Sequence, residues 1–147
     1  MTGKKILVVD DDEDMRRGLG IRLKASGYNV VFAYDAISAT GMARKEKPDL
    51  IILDIGLPGG DGFIVMERLV SISETSIPVI ILTGRDPSTN RKRAIAAGAK
   101  AFFLKPADND QLLAAVGKAL GESERAAPTA GPARQSAEYW DLSQDDQ

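Results

Sequence analysis

Five polar side chains that can bind a metal ion or a phosphoryl group stand at the ends of short apolar segments. They are Asp10 and Asp11 after Ile6–Val9, Asp54 after Leu50–Leu53, Thr83 at the end of Ile77–Thr83, and Lys105 after Ala101–Leu104. In a doubly wound parallel sheet, ligands bind in the crevice beyond the carboxyl ends of the strands, where strand order reverses. If these segments are parallel strands, three carboxylates, a hydroxyl and an ammonium group meet in a single site.

The three carboxylates predict a site for a divalent cation. Asp10, Asp11 and Asp54 would repel one another at one sheet edge, and Mg²⁺ relieves this because it takes oxygen ligands from one or two carboxylates while keeping water. Beside the cation, Asp54 is a candidate nucleophile toward a phosphoryl group, which would give an acyl phosphate. Thr83 and Lys105 supply a hydroxyl donor and a positive charge for the phosphoryl oxygens, as phosphoryl transfer requires.

The rest of the sequence predicts the elements that position these residues. Apolar runs alternate with segments of helical periodicity, which indicates repeated βα units and a parallel sheet covered on both faces. The predicted strands are Ile6–Val9, Asn29–Tyr34, Leu50–Leu53, Ile77–Thr83 and Lys100–Leu104. The predicted helices run from about Asp14 to Ala25, Ala36 to Lys45, Phe63 to Ser71, Pro87 to Gly98, and along a fifth segment with the buried stripe Leu112, Leu113, Val116 and Leu120.

Composition limits the function classes open to this chain of 147 residues. Its net charge of −2 lacks the basic excess expected of a nucleic-acid-binding domain. The absence of cysteine excludes disulfides and thiolate metal sites and favours a reducing cytoplasm. No apolar run has the length of a membrane span, and the N-terminus leads straight into a strand without room for a signal peptide. Because the chain also has no histidine, any step that stores phosphate on histidine needs a partner protein.

A change of composition near residue 120 predicts two parts. Residues 1–120 form the folded domain, with 17 Lys/Arg against 15 Asp/Glu, a balance of +2. Residues 121–147 form a flexible acidic tail with two Arg against six Asp/Glu, a balance of −4. The tail ends in the aromatic segment Tyr139–Leu142, and we expect it to dock, in a state-dependent way, on the basic face formed by the fourth helix, the fifth strand and the fifth helix.

Four segments carry a resemblance to a known family. The segments are Ile6–Asp11, Leu53–Pro58, Ile81–Thr83 and Phe102–Pro106, and in order and spacing they resemble the receiver domain of bacterial two-component response regulators over about residues 4–120. The resemblance implies an α/β, flavodoxin-like (βα)₅ fold with a five-stranded parallel sheet in the order 2-1-3-4-5. It also implies a cis peptide bond between Lys105 and Pro106.

The resemblance also implies a role for each site residue. Asp54 would be the phosphoacceptor, and Asp11 and the backbone carbonyl of Gly56 would bind Mg²⁺, with Asp10 holding the metal chiefly through water. Thr83 and Lys105 would contact the phosphoryl group, and Thr83 and Phe102 would be the switch residues. Phe102 occupies the position of the family's switch aromatic and, without a hydroxyl, can report the switch only by moving between packed and exposed positions. The chain departs from the family pattern at Gly84, which replaces the usual alanine, at Gly56, and at Arg85, and these positions affect how water reaches the acyl phosphate.

The implied function is that of a cytoplasmic phosphoacceptor in a His-Asp phosphorelay. Its partners would be a histidine kinase or histidine phosphotransfer protein and a downstream protein target. It would not be an enzyme beyond its own phosphotransfer and dephosphorylation, and it would be a monomer or a weak homodimer through the face of the fourth helix, fifth strand and fifth helix. We expect no direct DNA binding, because the 27 residues after residue 120 are too few for an effector domain.

Two other functions fit parts of the sequence. A receiver-fold module that binds partners without phosphate would keep the same fold. A haloacid-dehalogenase-like phosphatase also uses a strand-end Asp with a Thr and a Lys, and Asp10-x-Asp12 matches its first motif superficially. The chain lacks the Thr or Val that this motif expects two residues after Asp12, and its acidic pair Asp145-Asp146 lies in the polar tail.

Overall fold

Strands and helices alternate along the chain. The computed structural model describes residues 3–58, 61–72, 77–122 and 139–142. The elements are β1 (Lys5–Val9), α1 (Glu13–Ala25), β2 (Asn29–Ala33), α2 (Ala36–Glu46), β3 (Leu50–Leu53), α3 (Gly62–Ile72), β4 (Val79–Thr83), α4 (Pro87–Ala97), β5 (Ala101–Leu104), α5 (Asn109–Ala119) and β6 (Tyr139–Asp141).

The six strands of the described residues form one sheet in the order β2-β1-β3-β4-β5-β6. The first five strands are parallel to their neighbours, which confirms the predicted flavodoxin-like fold and its order 2-1-3-4-5. β1 and β3 lie side by side at the point where the strand order reverses, with Val9 opposite Leu53. The carboxyl ends of these two strands therefore carry Asp10 and Asp54 into the same crevice.

The core has two layers, one on each face of the sheet. Helices α2, α3 and α4 cover the face that carries Leu7, Ile51, Ile81 and Phe102. Helices α1 and α5 cover the opposite face. The strands β1, β3 and β4 are buried from end to end except at Lys5, which explains why they are continuous aliphatic runs rather than alternating ones.

Short polar and small residues fix where the helices begin and end. Asp12, Asp35, Asp86 and Asp108 cap the N-termini of α1, α2, α4 and α5 by accepting hydrogen bonds from backbone N–H groups of the first turn. Gly62 begins α3 where a Cβ atom would lie 2.3 Å from the backbone of Ile55, so only glycine allows this approach. The four caps and Gly62 thus fix the residue at which each helix starts after the preceding strand.

The structure corrects the start of one predicted strand and one part of the predicted tail. β4 begins at Val79 rather than at Ile77, because Pro78 has no N–H group to donate to a neighbouring strand. Tyr139–Asp141, expected in a flexible tail, form the antiparallel strand β6, so the sheet has six strands rather than five. The composition argument failed here because aromatic residues favour strands and β5 offers an open edge. Residues 123–138 and 143–147 of the predicted tail lie outside the described residues.

Among the described residues, none of the helices combines the length and the apolar character needed to cross a bilayer.

Candidate functional site

The sheet brings the predicted site residues together at the carboxyl ends of its strands. Hydrogen bonds between strands continue one residue past the ladders: the Asp54 N–H donates to the Val9 carbonyl at 2.9 Å, and the Lys105 N–H donates to the Thr83 carbonyl at 2.8 Å. The side chains at these positions are therefore fixed by backbone pairing rather than by a mobile loop. Among them, Asp10, Asp54 and Thr83 are buried.

The Asp54 carboxylate lies at the centre of the site. Its Oδ1 accepts hydrogen bonds from the Thr83 hydroxyl at 2.7 Å and from the Gly56 N–H at 2.8 Å. Its Oδ2 accepts one from the Lys105 ammonium group at 3.0 Å. The side chain is held from both sides, while the residue keeps an exposed fraction of 7%. A carboxylate in this setting is oriented for attack on an incoming group and has donors beside it for the oxygens of that group.

Lys105 bridges the two buried carboxylates. Its ammonium nitrogen lies 2.7 Å from Asp10 Oδ2 and 3.0 Å from Asp54 Oδ2. Burial alone would lower the pKa of Lys105, but the hydrogen bonds and charges of both carboxylates together raise that pKa above its ordinary value. Burial raises the pKa of the Asp10 carboxyl, and the ion pair with Lys105 offsets this only in part. The site therefore keeps a positive charge where a phosphoryl group would add negative charge.

Three carboxylates offer the ligand set of a hard divalent cation. One oxygen from each of Asp10, Asp11 and Asp54 lies within 4.8 Å of the other two, and Asp11 is exposed, so an ion can reach the group from solvent. Oxygen ligands from a few carboxylates together with water are what Mg²⁺ prefers. The residues present therefore fit Mg²⁺. For Gly56, the structure shows its N–H group bonded to Asp54, and the metal-binding role of its carbonyl stays a prediction.

Arg85 lies directly against the rim of the site. A Cβ atom on Gly56 would be 3.0 Å from the Arg85 Nε and 3.3 Å from Asp54 Oδ1, so the Arg85 side chain packs along the bare backbone of Gly56 beside the acceptor. The Arg85 N–H also donates to the Thr83 hydroxyl oxygen at 3.2 Å. At Gly84 a Cβ atom would meet nothing within 4 Å. The glycine at position 56 thus makes room for the arginine, which covers one approach to Asp54.

Phe102 is fully buried on the sheet face that also carries Thr83. Phe102 pairs with Ile81, and Thr83 pairs with Leu104, so Phe102 and Thr83 are diagonal neighbours across two adjacent strands. Diagonal neighbours on one face are within reach of an aromatic side chain. The structure thus places Phe102 in a packed position on the same sheet face as Thr83.

Two contacts at the site were missed by the sequence analysis. The Arg16 guanidinium donates to the Asp10 carbonyl at 2.6 Å and ties α1 to the end of β1. The sequence held a signal for it, since Arg16 stands one turn after the helix cap Asp12. The second is the edge-to-face contact between Phe102 and Trp140, with ring centroids 5.9 Å apart. No spacing rule predicts that contact, because the two residues lie far apart in the chain.

The chain matches a known protein family and resembles individual proteins. The family described as the response regulator receiver domain matches residues 6–117. The response regulator MprA of a Mycobacterium species (strain KMS) is 34% identical over 141 residues, which is 96% of this chain and 60% of that protein. The alkaline phosphatase synthesis transcriptional regulatory protein PhoP of Bacillus subtilis is 39% identical over 126 residues, 86% of this chain and 52% of that protein. The chain thus spans about half to three fifths of the length of these relatives.

Solved structures show the same fold. A CheY-like receiver domain protein from Methanospirillum hungatei matches with a TM-score of 0.76 and 28% identity, over 82% of this chain and 95% of that one. The receiver domain of a sensor histidine kinase from Pseudomonas aeruginosa, described with a magnesium ion in its active-site cleft, matches with a TM-score of 0.72 and 26% identity, over 82% of this chain and 100% of that one.

The family match and the geometry agree. They leave the haloacid-dehalogenase-like interpretation without support, and Asp145-Asp146 lie outside the described residues. Asp10, Asp11 and Asp54 lie in the phosphorylation site of the domain. The chain belongs to the response regulator receiver domain family.

Proposed function

We propose that Asp54 accepts a phosphoryl group in a Mg²⁺-dependent reaction, and that this phosphorylation switches the protein's contacts with other proteins. The observation that carries the proposal is the setting of the Asp54 carboxylate, which is held between the Thr83 hydroxyl at 2.7 Å and the Lys105 ammonium group at 3.0 Å. Both partners are donors that suit the oxygens of a transferred phosphoryl group. Among the described residues, Asp54 is the only buried carboxylate that accepts hydrogen bonds from both a hydroxyl and an ammonium group; Asp10 accepts from Lys105 and from a backbone N–H.

The donor is the phosphohistidine of another protein, a histidine kinase or a histidine phosphotransfer protein. The absence of histidine from this chain supports this assignment, because the chain cannot store the phosphate on an imidazole of its own. A carboxylate oxygen of Asp54 attacks phosphorus, a P–O bond forms, the P–N bond breaks, and the electron pair leaves on the imidazole nitrogen of the partner. The product is an acyl phosphate on Asp54.

The residues around Asp54 have separate tasks in this step. Lys105 neutralises charge on the phosphoryl oxygens, and it does so fully charged because its pKa is raised. Thr83 donates its hydroxyl hydrogen to a phosphoryl oxygen in place of Asp54 Oδ1. Asp10, Asp11 and Asp54 would hold Mg²⁺, which when bound supplies further charge neutralisation for the transferred group. By covering Gly56 beside Asp54, Arg85 limits the approach of water to the acyl phosphate.

The wider role follows from the same site. The protein turns over only its own phosphoryl group and is therefore not an enzyme acting on a separate substrate. We place it in the cytoplasm, where histidine kinases present their phosphohistidine. Its output is contact with a target protein rather than with DNA, because residues 1–120 carry a balance of only +2 and show no basic excess for nucleic acid.

Intact-mass analysis tests the proposal directly. The protein is incubated with a small acyl phosphate, with Mg²⁺ or with a chelator, and we expect one added phosphoryl group only when Mg²⁺ is present. The variant Asp54→Asn keeps the shape of the side chain but removes the nucleophile, so it should gain no mass. Label that persists in Asp54→Asn would overturn the assignment of the acceptor.

Beryllofluoride separates this function from that of a module that works without phosphate. Bound to an aspartate, it imitates the phosphoryl group without chemistry. With Mg²⁺ it should raise the thermal stability of the wild type and leave Asp54→Asn unchanged, because a ligand that binds only the folded state stabilises it. No stabilisation of the wild type would favour the phosphate-independent module.

A further inference from the structure

The outer edge of β5 is covered by the chain's own distal segment. β6 pairs antiparallel with β5, with Ala101 opposite Asp141, Phe102 opposite Trp140 and Phe103 opposite Tyr139. The Leu142 N–H continues the ladder by donating to the Lys100 carbonyl at 2.9 Å. An edge strand with free N–H and C=O groups is a template for adding another strand, and many proteins recognise extended peptides in this way.

Side chains of β6 contact both faces of the sheet. On the α4 face, the Trp140 ring meets Phe102 edge to face, and the Arg91 guanidinium lies 5.3 Å from the centre of the Trp140 ring. Leu142 is buried in the core on that same face, with an exposed fraction of 3%. The edge of β5 therefore provides apolar and cationic contacts for alternate residues of the added strand.

The α5 face adds two further contacts. The ring of Tyr139 stacks on Phe103 with centroids 4.8 Å apart and an angle of 9° between the planes. Asp141 forms an ion pair with Lys118 of α5. Every residue from Tyr139 to Leu142 thus has a defined partner on the domain, which is the pattern of a bound peptide rather than of a chance contact.

We propose that the segment Tyr139–Leu142 is an intramolecular ligand of a strand-addition site on the outer edge of β5. The site takes extended peptides in which two aromatic residues are followed by an acidic and an aliphatic residue. By occupying this site, the segment competes with any protein that docks on α4, β5 and α5, including a second copy of the chain. The proposal goes beyond the proposed function and does not depend on phosphorylation of Asp54.

The connection between domain and segment suits binding within one chain. Residues 123–138 join the end of the domain to β6, and a chain of this length reaches roughly 50 Å when fully extended. Attachment through a linker of such length gives an effective concentration on the order of millimolar. The attached segment therefore outcompetes the same peptide added from solution at micromolar concentration.

A labelled peptide with the sequence of residues 136–147 tests this prediction. It is titrated into the wild-type chain and into the full-length double variant Trp140→Ala/Leu142→Asp, whose own segment no longer binds. We expect the peptide to bind the double variant at least tenfold more tightly than the wild type. Equal affinity for both proteins, or no binding to the double variant, would overturn the proposal.

Controls exclude trivial explanations of the result. Ile37→Asp introduces the same kind of apolar-to-acidic change on α2, away from β5, and should leave peptide affinity as in the wild type. The variants should give the circular dichroism spectrum of the folded domain, since 82% of this chain already matches a solved receiver domain over that domain's full length. A peptide carrying Trp140→Ala should bind the double variant at least tenfold more weakly than the parent peptide.

Charge exchange tests the register of the added strand. In the double variant, Lys118→Glu should weaken binding of the parent peptide about two- to fivefold, and a peptide with Asp141→Lys should restore it. Failure of this rescue would contradict the pairing of Asp141 with Lys118. Sedimentation of the wild type should show a monomer at all concentrations tested. A dimer that disappears in the double variant would instead assign the segment to exchange between two copies and overturn binding within one chain.

Discussion

Two edges of the same sheet carry different kinds of recognition. At the carboxyl ends of β1, β3, β4 and β5, the charged groups are already positioned without a ligand, and Lys105 bridges Asp10 and Asp54. At the outer edge of β5, backbone groups and aromatic rings are covered by a segment from far along the chain. The site at the carboxyl ends consists of residues whose positions are fixed by the pairing of the parallel strands. The contact at the outer edge of β5 forms only when the segment Tyr139–Leu142 pairs with that strand.

The two edges meet at Phe102. On one side it is the diagonal neighbour of Thr83, whose hydroxyl donates to Asp54. On the other side it contacts the Trp140 ring. A single buried ring therefore lies between the phosphorylation site and the strand-addition site, and we expect a change in its packing to affect both. Substitutions and ligands at each edge can therefore be tested for their effect on Asp54 phosphorylation and on the binding of the segment Tyr139–Leu142.

The largest expected effect is a difference in the rate of Asp54 phosphorylation between variants of two lysines near β5. Lys105→Ala removes the cation beside Asp54, and by analogy with oxyanion-type contacts the rate of Asp54 phosphorylation should fall about 10²- to 10³-fold. Lys100→Ala removes a charge just before β5, away from the site, and should leave the rate unchanged. The rates are measured by intact mass with a small acyl phosphate. Equal rates in the two variants would contradict the geometry of the site.

A smaller effect is expected between the two edges. Beryllofluoride with Mg²⁺ should change the affinity of the β5 edge for the segment Tyr139–Leu142 through Phe102, with coupling in the usual range of about 1–3 kcal/mol. Trp140 is the only tryptophan of the chain, so its emission reports this directly.

The fluorescence experiment tests both the docking of the segment and its coupling to Asp54. The emission of the wild type should change on adding beryllofluoride, and that of Asp54→Asn should not. Emission that matches a free peptide of residues 136–147 in every condition would show that the segment does not dock. Emission of a docked ring that ignores beryllofluoride would show that the two edges are independent.

The smallest expected effect concerns charge burial at the site, measured as stability against pH. Because the folded state raises the pKa of Asp10, its ionisation opposes folding above that raised pKa. Asp10→Asn should therefore increase the free energy of unfolding at neutral pH in the presence of a chelator. The gain over the wild type should vanish as pH falls through the raised pKa toward 3.8.

Asp61 provides a control of opposite sign. Its hydrogen bond from Arg93, at 2.8 Å, lowers the pKa of the Asp61 carboxyl, so this pair contributes stability above pH 3.8 that is lost as pH falls through the lowered pKa. Asp61→Asn should thus lower the free energy of unfolding at neutral pH, by less than about 1 kcal/mol because both side chains are substantially exposed. If Asp10→Asn and Asp61→Asn changed the free energy of unfolding in the same direction, the explanation that burial destabilises the Asp10 carboxylate would be contradicted.

The sequence, with the family resemblance, predicted the five parallel strands, their order and the meeting of their polar ends, but it did not predict β6. Asp10, Asp54, Thr83 and Lys105 were found because strand ends of a parallel sheet meet at one edge, and short aliphatic runs mark those ends unambiguously. The cis peptide bond at Lys105-Pro106, implied by the family resemblance, is confirmed as well.

The sequence analysis did not predict β6 as a strand, because its strand conformation depends on pairing with a distant part of the chain. Three residues after a long polar segment carry no periodicity, and their strand conformation exists only against the edge of β5. The expectation that Tyr139 and Trp140 dock near α4 and α5 agrees with the position of β6, since it rested on charge and aromatic character. A pattern of neighbouring residues cannot predict that a segment pairs with a strand far away in the chain.

Reduction of the acyl phosphate with borohydride tests the central claim most directly. Borohydride converts a phosphorylated aspartate to homoserine, and tandem mass spectrometry locates the changed residue. After incubation with a small acyl phosphate and Mg²⁺, we predict homoserine at position 54, with Asp10 and Asp11 unchanged. Homoserine at position 10 or 11 in place of position 54 would contradict the assignment of Asp54 as the acceptor.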